Sequence, residues 1–120
     1  LEGDVGLERK RRSRSEAKKR LLGARSLVES DGVSFYAEIR RALAAFLADR
    51  VNLEIQELTS VQARDVLEEH SVESLVIENV VSVLDTCDFA RFAPGGGGTE
   101  DRVTLLEKVE SLIDTLEQAT

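Results

Sequence analysis

The sequence predicts an all-α domain, a compact bundle of four to five short helices, on three observations. Apolar residues recur at helical spacing from about position 15 onward. No segment shows the convincing two-residue alternation of a half-buried strand. The single Pro lies next to a run of four Gly, so the strongest helix-breaking segment is confined to residues 94–98. A chain of 120 residues can bury one modest core, so we expect a single globular unit.

The first two helices are predicted over about 15–29 and 34–50. Ser30, Asp31 and Gly32 separate them, a natural stop and restart. The first helix places Leu21, Ala24 and Val28 on one face. The second carries the clearest apolar stripe in the chain, with the spacing of a helix that packs on a core. Its members are Phe35, Ile39, Ala42, Leu43, Phe46 and Leu47.

The third helix is predicted from a capping box at Thr59–Gln62 to about Glu69, with Val61, Val66 and Leu67 in the core. A fourth helix runs to about Phe89. It is rich in β-branched residues that favour strands, but its apolar residues follow a helical stripe: Ile77, Val80, Val81, Leu84 and Cys87. A helix this apolar is expected at the centre of the bundle.

The last helix is predicted over 99–120, with Thr99 as its cap. Its stripe requires a partner surface, either on the same chain or on a second copy: Val103, Leu106, Val109, Leu112, Ile113 and Leu116. The predicted organisation is therefore a basic arm (1–14), a helical core (15–94), a Gly linker (95–98) and a C-terminal helix (99–120).

Composition argues against several classes of protein. One Cys and one His exclude a disulfide framework and a zinc site built by one chain from those ligands. The Gly run precedes Glu100 and Asp101 rather than the Lys of a phosphate-binding loop. Cys87 is expected to be inert core and His70 a helix cap. We predict no catalytic residue, no cofactor, no metal and no enzyme.

Charge is distributed unevenly along the chain. Residues 1–25 carry nine basic and four acidic side chains, a net charge of +5, whereas the remaining 95 residues have a net charge of −12. A basic segment can contact anionic lipid, bind nucleic acid or remain solvated. Nucleic acid is disfavoured because the segment has no aromatic side chain to stack bases and the body is acidic. The candidate membrane-facing residues are Arg9, Lys10, Arg11, Arg12 and Arg14.

The most distinctive segment runs from Cys87 to Pro94. Asp88 and Arg91 have the spacing of an ion pair on one helical face, and Phe89 and Phe92 that of two aromatic residues buried together as the helix ends. The alternative is a binding hot spot made of an exposed Arg with aromatic neighbours. Both interpretations stay open on the sequence.

Three segments together resemble the C-terminal cytoplasmic region of BatD, the Bacteroides aerotolerance or oxygen-tolerance proteins of bacteria. They are the helix from Phe35-Tyr36-Ala37 to Asp49-Arg50, the Leu58-Thr59 cap with Val66-Leu67, and the segment from Cys87-Asp88 to Pro94. The likeness covers roughly residues 15–118. The chain begins with Leu and contains no Met, so we expect it to be a piece of a longer protein.

The resemblance implies a non-enzymatic, stress-tolerance interaction domain of a single-pass membrane protein, on the cytoplasmic face of the inner membrane. Its implied partners are von Willebrand factor A-type Bat proteins and a MoxR-type AAA+ ATPase, with the basic arm beside the membrane. Candidate partner contacts are Tyr36, Arg40, Arg91 and Phe92. The alternatives are a nucleic-acid-binding regulator that uses the basic arm, or a homodimer formed through the last helix.

Overall fold

The part of the chain that the structure describes forms five α-helices. The computed structural model describes residues 2–53, 58–92 and 98–120. The helices are α1 (Glu2–Arg25), α2 (Gly32–Val51), α3 (Ser60–Glu69), α4 (Ser74–Ala90) and α5 (Thr99–Ala119), and the described residues contain no strand. The predicted all-α bundle is confirmed. Residues 95–97 of the predicted Gly linker, and Pro94 before it, lie outside the described residues.

Side-chain contacts define the directions of the helices. Arg14 contacts Glu117 and Arg25 contacts Glu110, so α1 and α5 are antiparallel. Arg50 near the end of α2 contacts Thr120 at the end of α5, so these two helices are parallel. α3 and α4 are antiparallel, because Ser60 meets Asp85 and Arg64 meets Glu78.

The core lies where α2 packs against α1, α4 and α5, and α3 covers α4. All six members of the predicted α2 stripe are buried, and Phe35, Ile39 and Leu43 are completely inaccessible. α4 contributes Ile77, Val80, Leu84 and Cys87 as predicted, while Val81 is half-buried. Complete burial of one such aliphatic or aromatic side chain stabilises the fold by about 1.5–3 kcal/mol. The predicted central position of α2 and α4 agrees with this burial.

α1 differs most from prediction. It was expected over 15–29, but it begins at Glu2 and ends at Arg25. Its inner face carries Ser13, Ala17, Leu21 and Ala24, all buried at a spacing of three or four residues. Three of these four side chains are small, which allows α1 to pack closely on its neighbours. The sequence of α1 nevertheless lacks a strong apolar stripe, because small side chains contribute little to one. The predicted basic arm (1–14) is therefore the first half of a docked helix.

Local caps explain where three helices begin. Asp31 accepts a hydrogen bond from the Ser34 amide, and this bond lowers the pKa of Asp31. Thr59 and Gln62 form the predicted capping box at α3. The cap of α5 is Gly98, whose amide donates to Asp101, rather than the predicted Thr99.

α5 places its apolar stripe on its own chain. The buried side chains are Leu106, Val109, Leu112, Ile113 and Leu116, while Val103 remains partly exposed. Two arginines fasten its ends: Arg102 donates to the Val28 carbonyl at 2.6 Å, and Arg50 donates to the Glu117 carbonyl at 2.7 Å. The choice left open by the sequence is thus settled in favour of packing within the chain.

One residue that was predicted in the core on α3 is not in the core. Val61, on the first turn of α3, is 69% exposed, while Val66 is half-buried and Leu67 fully buried. α3 packs mainly on α4, so only one narrow side of this short helix is covered. Its buried residues are Ala63 and Leu67, at i and i+4.

Candidate functional site

The basic segment does not present all its cations to solvent. The Arg9 guanidinium reaches the end of α2, where its Nε donates to Asp49 at 3.1 Å. Its other two nitrogens donate to the Asn52 side chain at 2.9 Å and to the Leu53 carbonyl at 2.6 Å. Arg9 therefore bonds three groups of its own domain. The sequence had instead predicted that Arg9 faces a membrane.

Arg14 is also directed inward, against α5. Its two terminal nitrogens lie 2.8 Å from Asp114 and 2.9 Å from Glu117. Further along the same side, Lys18 approaches Asp114 at 3.9 Å and Arg25 pairs with Glu110 at 3.1 Å. Much of the positive charge of α1 thus neutralises acidic side chains of the same chain, a pairing that the sequence's charge asymmetry allowed but did not specify.

The other predicted arm residues lie outside these contacts. Arg11 and Arg12 are exposed and share Glu8, at 3.6 and 3.5 Å, in pairs along the helix. The side chain of Lys10 is half-buried, and its backbone carbonyl accepts a hydrogen bond from Arg50. The structure thus divides the five predicted residues between an inner and an outer side of α1.

Two of the four predicted partner contacts are buried. Tyr36 is 7% exposed, packs edge-on against Phe35 with ring centroids 5.2 Å apart, and has its pKa raised by burial. Arg40 is also 7% exposed. It pairs in a bidentate manner with Asp88, at 2.6 and 3.3 Å, and donates to the Leu58 carbonyl at 2.9 Å. These side chains join helices and offer a partner very little surface.

The other two predicted contacts, Arg91 and Phe92, lie at the end of α4 and are exposed. Phe89 and Phe92 are 70% and 85% exposed, so the prediction that they are buried together is wrong. The prediction that Asp88 pairs with Arg91 overlooked Arg40, the residue that Asp88 binds through both carboxylate oxygens. The end of α4 therefore presents two aromatic side chains to solvent.

A shallow groove of about 460 Å³ adjoins Phe92. Its walls come from three helices and the α3 cap: Arg40, Thr59, Ser60, Asp88, Arg91 and Phe92. The Thr59 and Ser60 side of the groove was not predicted. The sequence did contain a signal for the buried position of Arg40, because Tyr36, Arg40, Leu43 and Leu47 repeat at helical spacing. That spacing places Arg40 in the buried arc, where it needs an acidic partner.

The remaining reactive groups occupy ordinary structural positions. Burial raises the pKa of Cys87 to about 12, so the thiol is held in its unreactive neutral form. The Nδ1 atom of His70, at the end of α3, lies 3.0 Å from the Val66 carbonyl. Among residues 2–53, 58–92 and 98–120, no three His, Cys, Asp or Glu side chains converge as metal ligands would.

Comparisons of the chain with protein-family models, with curated proteins and with solved structures give no match. Within the described parts of the chain, none of the helices combines the length and apolar content needed to cross a bilayer.

Proposed function

We propose that this chain is a non-enzymatic interaction domain that binds a partner protein through the exposed end of α4. The observation that carries the proposal is the placement of its phenylalanines. The chain has four: Phe35 and Phe46 fill the core, whereas Phe89 and Phe92 face solvent. Exposed aromatic residues beside an Arg are the usual composition of an interface hot spot.

The end of α4 is also held rigidly. The Arg40–Asp88 pair joins it to α2, and Ser60 joins α3 to Asp85. A preorganised surface loses less conformational entropy on binding, so a helix end anchored by these two contacts is a better docking site than a free one. In this proposal Phe89, Arg91 and Phe92 contact the partner, while Tyr36 and Arg40 support the surface from below.

The resemblance to BatD supplies the proposed setting: the cytoplasmic face of the bacterial inner membrane, in a single-pass oxygen- and stress-tolerance protein. The proposed partners are a von Willebrand factor A-type Bat protein and a MoxR-type AAA+ ATPase. The proposal involves no cofactor, metal or nucleic acid. A homodimer through α5 is not carried forward, because the buried side chains of that helix already pack within the chain.

The test is a binding titration of purified partners against wild-type protein and a Phe89→Ser, Phe92→Ser double variant. Loss of hot-spot residues costs about 2 kcal/mol or more, so we expect at least about a thirtyfold weaker Kd. The matched control is Val61→Ser with Leu75→Ser, two similarly exposed apolar residues on α3 and on the first turn of α4. Equal affinity of the two double variants, or no binding by the wild type, would contradict the proposal.

A further inference from the structure

The outer side of α1 has a regular composition between Leu7 and Leu22. Its exposed side chains recur every three or four residues and so form one continuous face, called the outer α1 face here: Leu7, Glu8, Arg11, Arg12, Ser15, Lys19 and Leu22. The two leucines, 63% and 67% exposed, stand at its two ends. Three cations and the carboxylate of Glu8 lie between them, and Glu16, which pairs with Lys19, borders the face.

This face is distinct from the inner set of α1 cations. Arg9, Arg14 and Arg25 are engaged with acidic or carbonyl groups of α2 and α5. Arg11 and Lys19 keep more than three quarters of their side-chain surface exposed, and they form ion pairs with Glu8 and Glu16 of the same helix. Exposed ion pairs of this kind contribute little to the stability of the fold. These cations can therefore exchange their partners for an external anion with little loss of stability.

We propose that the outer α1 face lies on an anionic lipid surface while α1 stays docked on its own domain. Charge complementarity supports this occupant, because cations are concentrated on α1 whereas residues 26–120 have a net charge of −12. A molecule with this charge asymmetry turns its basic side toward an anionic surface. The inference rests on the membrane-adjacent part of the proposed function.

Exposed leucines favour lipid over nucleic acid as the occupant. Leu7 and Leu22 can enter the headgroup boundary, as the apolar residues of interfacial helices do. Surfaces that bind single-stranded nucleic acid carry aromatic side chains on which bases stack, and α1 contains no aromatic residue. The structure thereby changes the candidate set: Arg9, Lys10 and Arg14 leave it, Lys19 and the two leucines join it, and Arg11 and Arg12 remain.

The experiment uses the whole 120-residue chain in cosedimentation with vesicles of phosphatidylcholine, with and without phosphatidylserine. The test variant is Arg11→Gln, Arg12→Gln, Lys19→Gln. Each cation near an anionic surface contributes about fivefold in affinity, so we expect roughly a hundredfold loss for three. The control Arg41→Gln, Arg64→Gln, Lys108→Gln removes the same charge from α2, α3 and α5 and should bind like the wild type. Circular dichroism checks that each variant is folded.

A second variant acts in the opposite direction. Glu8→Gln removes the one carboxylate of the outer α1 face and should strengthen binding to anionic vesicles several-fold. Equal binding to neutral and anionic vesicles, or equal loss in both triple variants, would overturn the inference. So would tight binding of duplex DNA without vesicle binding. Failure of the proposed protein partner appears separately, in the titration with the Phe89 and Phe92 variant.

Discussion

Arg40 of α2 holds Asp88 of α4 in a two-pronged ion pair from an almost completely buried position, with its Nε 2.6 Å from one carboxylate oxygen. The carboxylate is 42% exposed, so the cation is desolvated and its partner is partly hydrated. The same guanidinium also donates to the Leu58 carbonyl. One side chain thus connects α2, α4 and the segment before α3.

We expect Asp88→Ala to lower the free energy of unfolding by about 2–3 kcal/mol, because it leaves a buried cation without its counterion. This loss of stability is smaller than that for a fully buried ion pair, because water can reach the space that the Asp88 carboxylate leaves. The comparison is Glu38→Ala, which breaks the exposed pair with Arg41 and should cost about 0–1 kcal/mol. Urea denaturation measures both, and similar losses would contradict this account of Arg40.

The contact of Arg14 with Asp114 and Glu117 should be sensitive to salt. We expect Arg14→Gln to reduce stability by about 0.5–1 kcal/mol at low ionic strength, because all three side chains are partly hydrated. Added salt screens such pairs and should narrow the difference from wild type. A difference independent of salt would assign the effect to packing of the Arg14 stem rather than to its charge.

The two kinds of phenylalanine should respond differently to truncation. Phe46→Ala removes a ring that is 1% exposed and should cost about 3–5 kcal/mol. Phe92→Ala should change the free energy of unfolding by less than about 0.5 kcal/mol, since the ring is surrounded by solvent. Thermal unfolding of both variants measures the contrast. A large loss for Phe92→Ala would mean that this residue stabilises the fold.

Cys87 should make stability decline at alkaline pH. Its folded pKa is raised to about 12, whereas the thiol of an unfolded chain ionises near about 8.5. The unfolded chain therefore loses its proton first, and stability falls as the pH rises between these values, by up to about 1.4 kcal/mol per pH unit. The measurement is the difference in this slope between wild type and Cys87→Ala, because Tyr36 has a raised pKa as well. Identical slopes would contradict the assignment.

The sequence predicted those parts of the fold that depend on apolar spacing. The α2 stripe from Phe35 to Leu47, the Thr59 capping box and the burial of Cys87 are all confirmed. The start of α1 was missed for a physical reason. Ser13 and Ala17 bury little apolar area, and helix formation there depends on tertiary contacts such as those of Arg9 and Arg14.

The candidate site was less predictable, because its geometry depends on distant residues. Spacing along one helix suggested that Asp88 pairs with Arg91, but it gave no sign that Arg40, 48 residues away, binds the same carboxylate through both oxygens. Phe89 and Phe92 could pack together only if another element covered them, and the sequence does not show that both remain exposed. Spacing along one helix shows which of its own side chains can pair. Only the tertiary fold shows which residues from distant parts of the chain meet.

The unbroken course of α1 has a mechanical consequence. A helix of 24 residues spans about 36 Å and behaves as a stiff rod at this length. Arg9, Arg14 and Arg25 fasten this rod to α2 and α5 over most of its length. Each residue inserted just before Arg9 would therefore turn the preceding residues of α1 by about 100° relative to the bundle, so the spacing from these residues to Arg9 sets the direction in which they point.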